Sequence, residues 1–139
     1  MNYYTPRFFT IGELVCPTTY KERGQKAFQL FDPRVLYAAD VLRDQFGACI
    51  INNWKSGGDF KWSGLRTPMS PHYSHYSQHS FGRALDMKFR KVNAQTVRDW
   101  IVEVEPFSFP VCLEDGVNWV HLDVRQRPPE EPLVKLFKV

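Results

Sequence analysis

One stretch of ten residues, 77–86, constrains this chain more than any other, because it carries polar, metal-capable side chains within a pattern typical of a buried strand. Its sequence is Ser-Gln-His-Ser-Phe-Gly-Arg-Ala-Leu-Asp. Residues 119–123, Trp-Val-His-Leu-Asp, have the same character near the other end of the chain. Burial of unpaired polar groups costs free energy, so the two segments are predicted to meet around a shared partner.

Side-chain alternation brings the ligating residues of both segments to one face. If the first segment turns at Gly82 and continues as a strand over residues 83–89, Asp86 points away from the apolar face of that strand. In the second segment, His121 and Asp123 share a face. Asp86 and His121 are therefore predicted to face each other across adjacent strands.

Two imidazoles and one carboxylate form a donor set that suits zinc. The candidates are His79, Asp86 and His121, and a catalytic zinc is commonly held by three protein ligands, with the fourth position left to water. Histidine in a strand has many other uses, and the spacing of His79 and Asp86 decides little by itself. The residues alone therefore leave two interpretations open: the histidines bind one zinc ion, or they only form hydrogen bonds.

The run Ser-Gln-His-x-x-Gly-Arg-Ala-x-Asp, followed by Trp-Val-His, resembles the zinc D-alanyl-D-alanine carboxypeptidase family. That family includes phage L-alanyl-D-glutamate endopeptidases and shares its fold with the hedgehog amino-terminal domain. Residues 63–66, Ser-Gly-Leu-Arg, are similar to the family's Ser-Gly-Tyr-Arg, and the resemblance extends loosely over residues 8–125. The resemblance implies that one zinc ion is held by His79, Asp86 and His121, and that the substrate lies beside Arg66, Ser77 and Gln78.

The sequence departs from the family pattern at the general base, the residue that takes a proton from the attacking water. Many members carry Glu-x-x-His in the second segment, but this chain has Asn118 at the glutamate position. Glu114 precedes an Asp-Gly pair that favours a tight turn able to fold it back toward the metal, whereas Asp123 shares the strand face of His121. Because a base must reach the attacking water directly or through one water, Glu114 is favoured and Asp123 is the alternative.

The rest of the pattern predicts an α+β fold, a mainly antiparallel sheet with two main helices packed on it and the zinc site on its open side. Residues 32–46 and 93–104 have apolar positions at helical spacing behind a capping Asp and Asn. Residues 107–114 and 117–125 are expected to form the last hairpin of the sheet. The first thirty residues are predicted mostly as loop.

Two long segments are predicted to lack regular structure. Residues 55–71 are rich in Gly and Ser and predict a loop, which at this length is usually functional. The chain is expected to be one domain over residues 1–139, with a core at about 8–125 and an extended tail at 126–139 whose end docks as a late strand or mediates association. Several aromatic residues near the motifs suit a ligand cleft: Trp54, Trp62, Tyr73, Tyr76 and Trp119.

Composition excludes several classes of function. The formal net charge of +3 is mild, and no Lys/Arg cluster of the kind that binds nucleic acid is present. The three cysteines are widely spaced and odd in number, which does not indicate a disulfide framework or a thiolate zinc site. No apolar run is long enough for membrane insertion, and the amino terminus does not have the pattern of a signal peptide.

These features and the resemblance together imply a zinc metallopeptidase that acts on the peptide stem of bacterial peptidoglycan. It is expected to be of the D,D-carboxypeptidase type or of the L-alanyl-D-glutamate or D-alanyl endopeptidase type. Without a signal peptide, it is expected to be made in the cytoplasm and to reach the wall after release during phage lysis, as an endolysin does, or from a virion. The missing Glu-x-x-His keeps open a catalytically inactive, zinc-containing module that binds the wall or forms part of a virion.

Overall fold

The computed structural model describes residues 2–139 as an α+β domain with three α-helices and one five-stranded sheet. The helices are α1 (Pro17–Arg23), α2 (Pro33–Phe46) and α3 (Ala94–Val104). The strands are β1 (Cys49–Ile50), β2 (Ala84–Phe89), β3 (Val111–Glu114), β4 (Val120–Asp123) and β5 (Val134–Phe137). Short 3-10 turns occupy Ile11–Glu13, Gly24–Leu30, Trp54–Ser56 and Gln78–Phe81.

The sheet has the strand order β1-β2-β4-β3-β5, and only the β3–β5 pair is parallel. The prediction of a mainly antiparallel sheet is confirmed, and β5 makes the sheet mixed. In the register between β2 and β4, Asp86 lies directly opposite His121 and Leu85 opposite Leu122. The predicted meeting of Asp86 and His121 on adjacent strands is therefore confirmed.

The two main helices form where their end signals predict. At the start of α2 the carboxylate of Asp32 accepts a hydrogen bond from the amide of Arg34 (2.9 Å), and Gly47 ends the helix with a φ of +86°. At the start of α3 the side-chain oxygen of Asn93 accepts one from the amide of Thr96 (2.8 Å). Each cap satisfies a backbone donor that the helix itself leaves unpaired.

The prediction that the first thirty residues are mostly loop is wrong. Helix α1 begins at Pro17, and a 3-10 segment, Gly24–Leu30, follows it directly. In the sequence, Pro17 suggests the end of the preceding short element, because proline interrupts regular structure. Proline is also favoured at the first position of a helix, where its missing N–H is not needed. The same residue therefore starts an element here.

The carboxy-terminal tail belongs to the sheet. Strand β5 is bonded beside β3 through Val111 N–H to Leu133 O (2.8 Å) and Asp115 N–H to Phe137 O (2.7 Å). Arg127 holds the approach to this strand by donating to Leu133 O (2.9 Å) and pairing with Glu131 (3.1 Å). The expectation of a late strand is thus confirmed for Val134–Phe137.

The core lies on one face of the sheet, between the strands and the two main helices. Leu85, Met87, Val120 and Leu122 of the central strands are buried there against α2 and α3. Burial of each such side chain stabilises the fold by about 1.5–3 kcal/mol. The opposite face of these strands carries the polar side chains of the two motif segments. Within residues 2–139, no helix has both the length and the apolar composition to cross a lipid bilayer.

Candidate metal and catalytic site

His79, Asp86 and His121 form a compact group of potential metal ligands on the polar face of the sheet. One donor atom from each lies within 4.8 Å of the others, and all three residues are buried. Asp86 Oδ1 is 3.3 Å from His79 Nε2 and 3.0 Å from His121 Nδ1. Around a tetrahedral zinc with bonds of about 2.0–2.1 Å, neighbouring ligand atoms are about 3.3–3.4 Å apart. The donor set and the two distances from Asp86 are therefore compatible with a single zinc ion.

The outer nitrogen of each imidazole is already occupied by the protein. His79 Nδ1 donates to Gly64 O (2.8 Å), and His121 Nε2 donates to Asp123 Oδ2 (2.8 Å). The inner nitrogens, His79 Nε2 and His121 Nδ1, are the atoms that face Asp86. Metal-binding histidines usually have such a partner, which fixes the tautomer and the ring orientation. The pattern of hydrogen bonds around the group thus also fits a metal centre.

The turn that presents His79 is fixed by its neighbours. Ser77 Oγ accepts from the amide of His79 (3.3 Å) and caps the 3-10 turn Gln78–Phe81. Gly82 ends the turn with a φ of +67°, and a Cβ at this position would collide with the carbonyl oxygen of Leu30. Only glycine meets both conditions without strain, so Gly82 determines how the chain passes from His79 into β2.

The long loop that precedes the motif packs over the potential metal ligands. Ser63 O accepts from the amide of Asp86 (2.7 Å), and the amide of Arg66 donates to His79 O (3.1 Å). Gly64, whose carbonyl accepts from His79, has no room for a Cβ because of Leu14 O. The predicted loop over 55–71 therefore holds both first-segment ligands in place.

Arg66 contacts the candidate metal group directly, through Asp86. Its Nη2 donates to Asp86 Oδ2 (3.1 Å), and its Nε donates to Trp62 O (2.9 Å). The first bond takes the carboxylate oxygen that points away from the two histidines. Arg66 thus orients Asp86 while still lining the cleft in front of it.

The charges of the group are strongly coupled. Burial opposes ionisation of Asp86, but hydrogen bonds from His121 and His79 outweigh it and hold the pKa of Asp86 well below its usual range. Burial likewise opposes the charge on His121, yet hydrogen bonds to Asp123 and Asp86 raise its pKa to about 9. For Asp123 the desolvation is overcome by Arg125 and His121, which lower its pKa. Two buried carboxylates thus make this position attractive to a cation, either a proton or a metal ion.

The two candidates for the general base lie in different surroundings. The register that pairs Leu113 with Leu122 continues to place Glu114 beside His121, and Glu114 lines a cavity of about 360 Å³ together with the three potential ligands. Asp123 is 0% exposed and lies behind the ring of His121, bound to Arg125 at 2.6 and 2.8 Å. Glu114 therefore shares the cavity with the three potential ligands, whereas Asp123 holds His121 from behind.

The cavity has a larger neighbour, and the two make one cleft. The polar lobe is the cavity of about 360 Å³, whose lining includes three further predicted residues, Arg66, Ser77 and Gln78. The aromatic lobe is a cavity of about 640 Å³ lined by Phe60, Trp62 and Trp119. Residues Arg66, Asp86 and Trp119 line both lobes.

Of the five aromatic residues expected near a cleft, Trp62 and Trp119 line the aromatic lobe and Tyr76 lines the polar lobe. The other two line neither lobe: Trp54 packs edge-on against Tyr20, with ring centroids 5.6 Å apart, and Tyr73 packs edge-on against His75 at 5.4 Å.

Sequence reasoning missed Arg125 and Phe137. The guanidinium of Arg125 lies 4.6 Å from the ring centre of Phe137, and that ring meets His121 edge-on at 5.6 Å. Alternation along the second segment places Arg125 on the face of His121 and Asp123, which could have indicated its role. Phe137 had no such signal, because its position depends on the docking of β5.

Comparison with models of known protein families, with curated proteins and with solved structures gives no match. A functional assignment for this chain therefore depends on the donor set, its hydrogen bonds and the cleft around it.

Proposed function

We propose that this protein is a zinc-dependent peptidase that hydrolyses an amide bond in the peptide stem of bacterial peptidoglycan. The observation that carries the proposal is the combination of three potential donor atoms within 4.8 Å of one another, two of them 3.3 and 3.0 Å from Asp86 Oδ1, and a carboxylate, Glu114, that lines the same cavity. Three protein ligands and an open side are typical of catalytic zinc, whereas structural zinc is closed by four ligands.

Each residue of the site has a distinct role in this reaction. His79, Asp86 and His121 would hold the ion, which supplies a Lewis acid that polarises a carbonyl and acidifies a water when bound. Glu114 takes the proton of the attacking water and delivers it to the leaving amine. Asp123 keeps the proton of His121 on Nε2, so that Nδ1 stays available to the ion.

The substrate assignment has a separate basis. The resemblance of the motif segments to wall-active zinc peptidases suggests peptidoglycan stems, and the net charge of +3 suits a polyanionic wall. The proposed setting is a phage or prophage enzyme that reaches the wall after lysis or within a virion. The alternative that Asn118 favours is a zinc-containing module that binds wall without cutting it.

The decisive experiment is digestion of purified peptidoglycan by the zinc-loaded and the chelated protein, with mass spectrometry of the released fragments. We expect new amino termini only with zinc. Asp86→Ala should lose zinc and activity together, because it removes a ligand. Glu114→Gln should keep zinc and lose turnover by about 10²–10⁴-fold, while Glu130→Gln, the same change at an exposed site of the tail, should behave as wild type.

One result would contradict the peptidase, and a second would reassign its base. Intact peptidoglycan in the presence of stoichiometric zinc, together with binding of the protein to the wall, would support the non-catalytic module. Full activity of Glu114→Gln at full zinc occupancy would remove Glu114 as the base and return that role to Asp123.

A further inference from the structure

A second cavity, larger than either lobe of the cleft, lies away from the candidate metal site. Its volume is about 750 Å³, and it lies beside β1, the edge strand of the sheet. None of the three potential metal ligands lines it. We call it the basic cavity, because its lining includes Arg43, Lys55 and Arg90. The proposed peptidase mechanism uses none of these three residues.

The basic cavity carries a surplus of positive charge. Its lining has three cations and one carboxylate, that of Glu13, hence a surplus of two positive charges. Glu13 Oε2 accepts from the amide of Thr10 (2.8 Å) and belongs to the cap of its own turn. Within residues 2–139, none of the three cations forms an ion pair. Like charges around one cavity repel each other, so the cavity attracts an anion.

Aromatic rings, not carboxylates, hold two of the cations in place. The guanidinium carbon of Arg43 lies 5.3 Å from the ring centre of Phe8. Lys55 Nζ lies 4.3 Å from the ring centre of Tyr20 and donates to its hydroxyl (2.9 Å). A cation–π contact positions a cation without cancelling its net charge. The charges of Arg43 and Lys55 therefore stay available to a ligand.

One segment of the long loop connects the basic cavity with the cleft. Residues within 52–58 line the basic cavity, and residues 59–63 line the aromatic lobe. The two stretches are bonded to each other, since the amide of Phe60 donates to Asn53 Oδ1 (2.9 Å) and the amide of Asn53 donates to Phe60 O (3.0 Å). A ligand in the basic cavity therefore lies just across this loop from a ligand in the aromatic lobe.

We propose that the basic cavity binds phosphodiester groups of an anionic polymer of the bacterial cell wall while the peptide stem lies in the cleft. The choice of a wall polymer rests on the proposed function. Nucleic acid, another phosphodiester polymer, is commonly bound through rings on which its bases stack. Among the described residues, Phe8 is the one aromatic in the cavity lining, and its ring already contacts the guanidinium groups of Arg7 and Arg43. The cavity thus supplies charge without a surface for base stacking.

The test measures binding of the chelated protein to purified cell walls by cosedimentation, so that cleavage does not alter the walls. Walls are compared before and after acid removal of their phosphodiester polymers. Arg43→Gln/Arg90→Gln should bind the untreated walls about tenfold more weakly than wild type, because two charged donors are lost. The slope of log affinity against log salt concentration should fall by about 1 for each cation removed. On the stripped walls, the double variant and wild type should bind equally.

A matched double variant separates the cavity from net charge. Arg23→Gln/Lys26→Gln removes two charges from exposed positions outside the basic cavity and both lobes. It should bind untreated walls within about twofold of wild type. Equal losses in the two double variants would overturn the cavity as the binding site. Arg90→Gln alone, at an exposed position, should already weaken binding by about threefold, and this variant leaves the contact of Arg43 with Phe8 intact.

The results distinguish failure of the cavity from failure of the proposed function. Wild-type binding that is unchanged after removal of the phosphodiester polymers would overturn the basic cavity and leave the peptidase intact. Absence of zinc-dependent cleavage, with the expected binding pattern, would overturn the peptidase and leave the cavity as a wall-binding site. The kcat/KM for a free stem peptide should be equal in Arg43→Gln/Arg90→Gln and wild type. An oligonucleotide that competes more strongly than the purified wall polymer would overturn the assignment to the wall.

Discussion

Replacing Asp123 with Asn tests whether this buried carboxylate holds His121 or acts as the base. Asp123 Oδ2 accepts from His121 Nε2 (2.8 Å) and Arg125 Nη2 (2.6 Å), while Oδ1 accepts from the amide (3.2 Å) and Nε (2.8 Å) of Arg125. An amide has one oxygen and one NH₂ group, so in either orientation it directs a donor at a donor. If the NH₂ group faces His121, the imidazole proton moves to Nδ1, the atom that would bind zinc.

The size of the effect follows from this conflict. Loss of a hydrogen-bond partner behind a metal ligand reduces metal affinity by about 10–100-fold, or about 1.4–2.8 kcal/mol. Asp123 is fully buried, so water cannot replace the lost acceptor. We therefore expect a loss of zinc affinity near 100-fold in Asp123→Asn, with turnover restored once zinc is saturating.

The assay is competition for zinc with a chromophoric chelator, followed by measurement of kcat across zinc concentrations. Asp99→Asn, the same change at an exposed position on α3, is the matched control and should change neither quantity. Urea unfolding of the metal-free proteins should be run beside it, to separate loss of zinc from loss of fold. Unchanged zinc affinity together with a kcat lowered by 10²-fold or more would refute the positioning role and make Asp123 the base.

Two predictions concern stability. Gly82→Ala should destabilise the protein by about 2 kcal/mol or more beyond Gly116→Ala, because both residues have positive φ but only the Cβ at Gly82 meets backbone, at Leu30 O; equal midpoints in urea would contradict this. Asp40→Ala should cost about 2–4 kcal/mol, because the buried carboxylate of Asp40 accepts three hydrogen bonds from the amino-terminal segment. Asp44→Ala, exposed on the same helix, should stay within about 0.5 kcal/mol of wild type in the same titration.

The parts of the fold that local chemistry controls could be predicted from the sequence. The bounds of α2 and α3 follow from side-chain caps and from the residues that end a helix, and both kinds of signal act within one turn. The pairing of Asp86 with His121 follows from two-residue alternation, because burying the apolar side of each strand turns these side chains to the other face.

The parts that depend on distant contacts could not be predicted. Whether Pro17 ends or starts an element is decided by what packs against it. The parallel pairing of β5 with β3 joins segments that are separated in the chain by β4 and a proline-rich segment. No local sequence pattern indicates which strand β5 pairs with. Phe137 contacts His121 only because of that pairing. Sequence motifs therefore could not predict that Phe137 forms this wall of the polar lobe.

The same register that buries the core also assembles the site. Strand β4 lies between β2 and β3, and pairing of Leu122 with both Leu85 and Leu113 fixes His121 next to Asp86 on one side and Glu114 on the other. A shift of β4 by one residue would turn His121 toward the core and bring a leucine or valine to the polar face. That shift would forfeit the burial of several apolar side chains, each of which stabilises the fold by about 1.5–3 kcal/mol. The cost of gathering buried polar groups at the site is therefore offset by core packing, and the proposed donors and base are held by strands that have no freedom to slide.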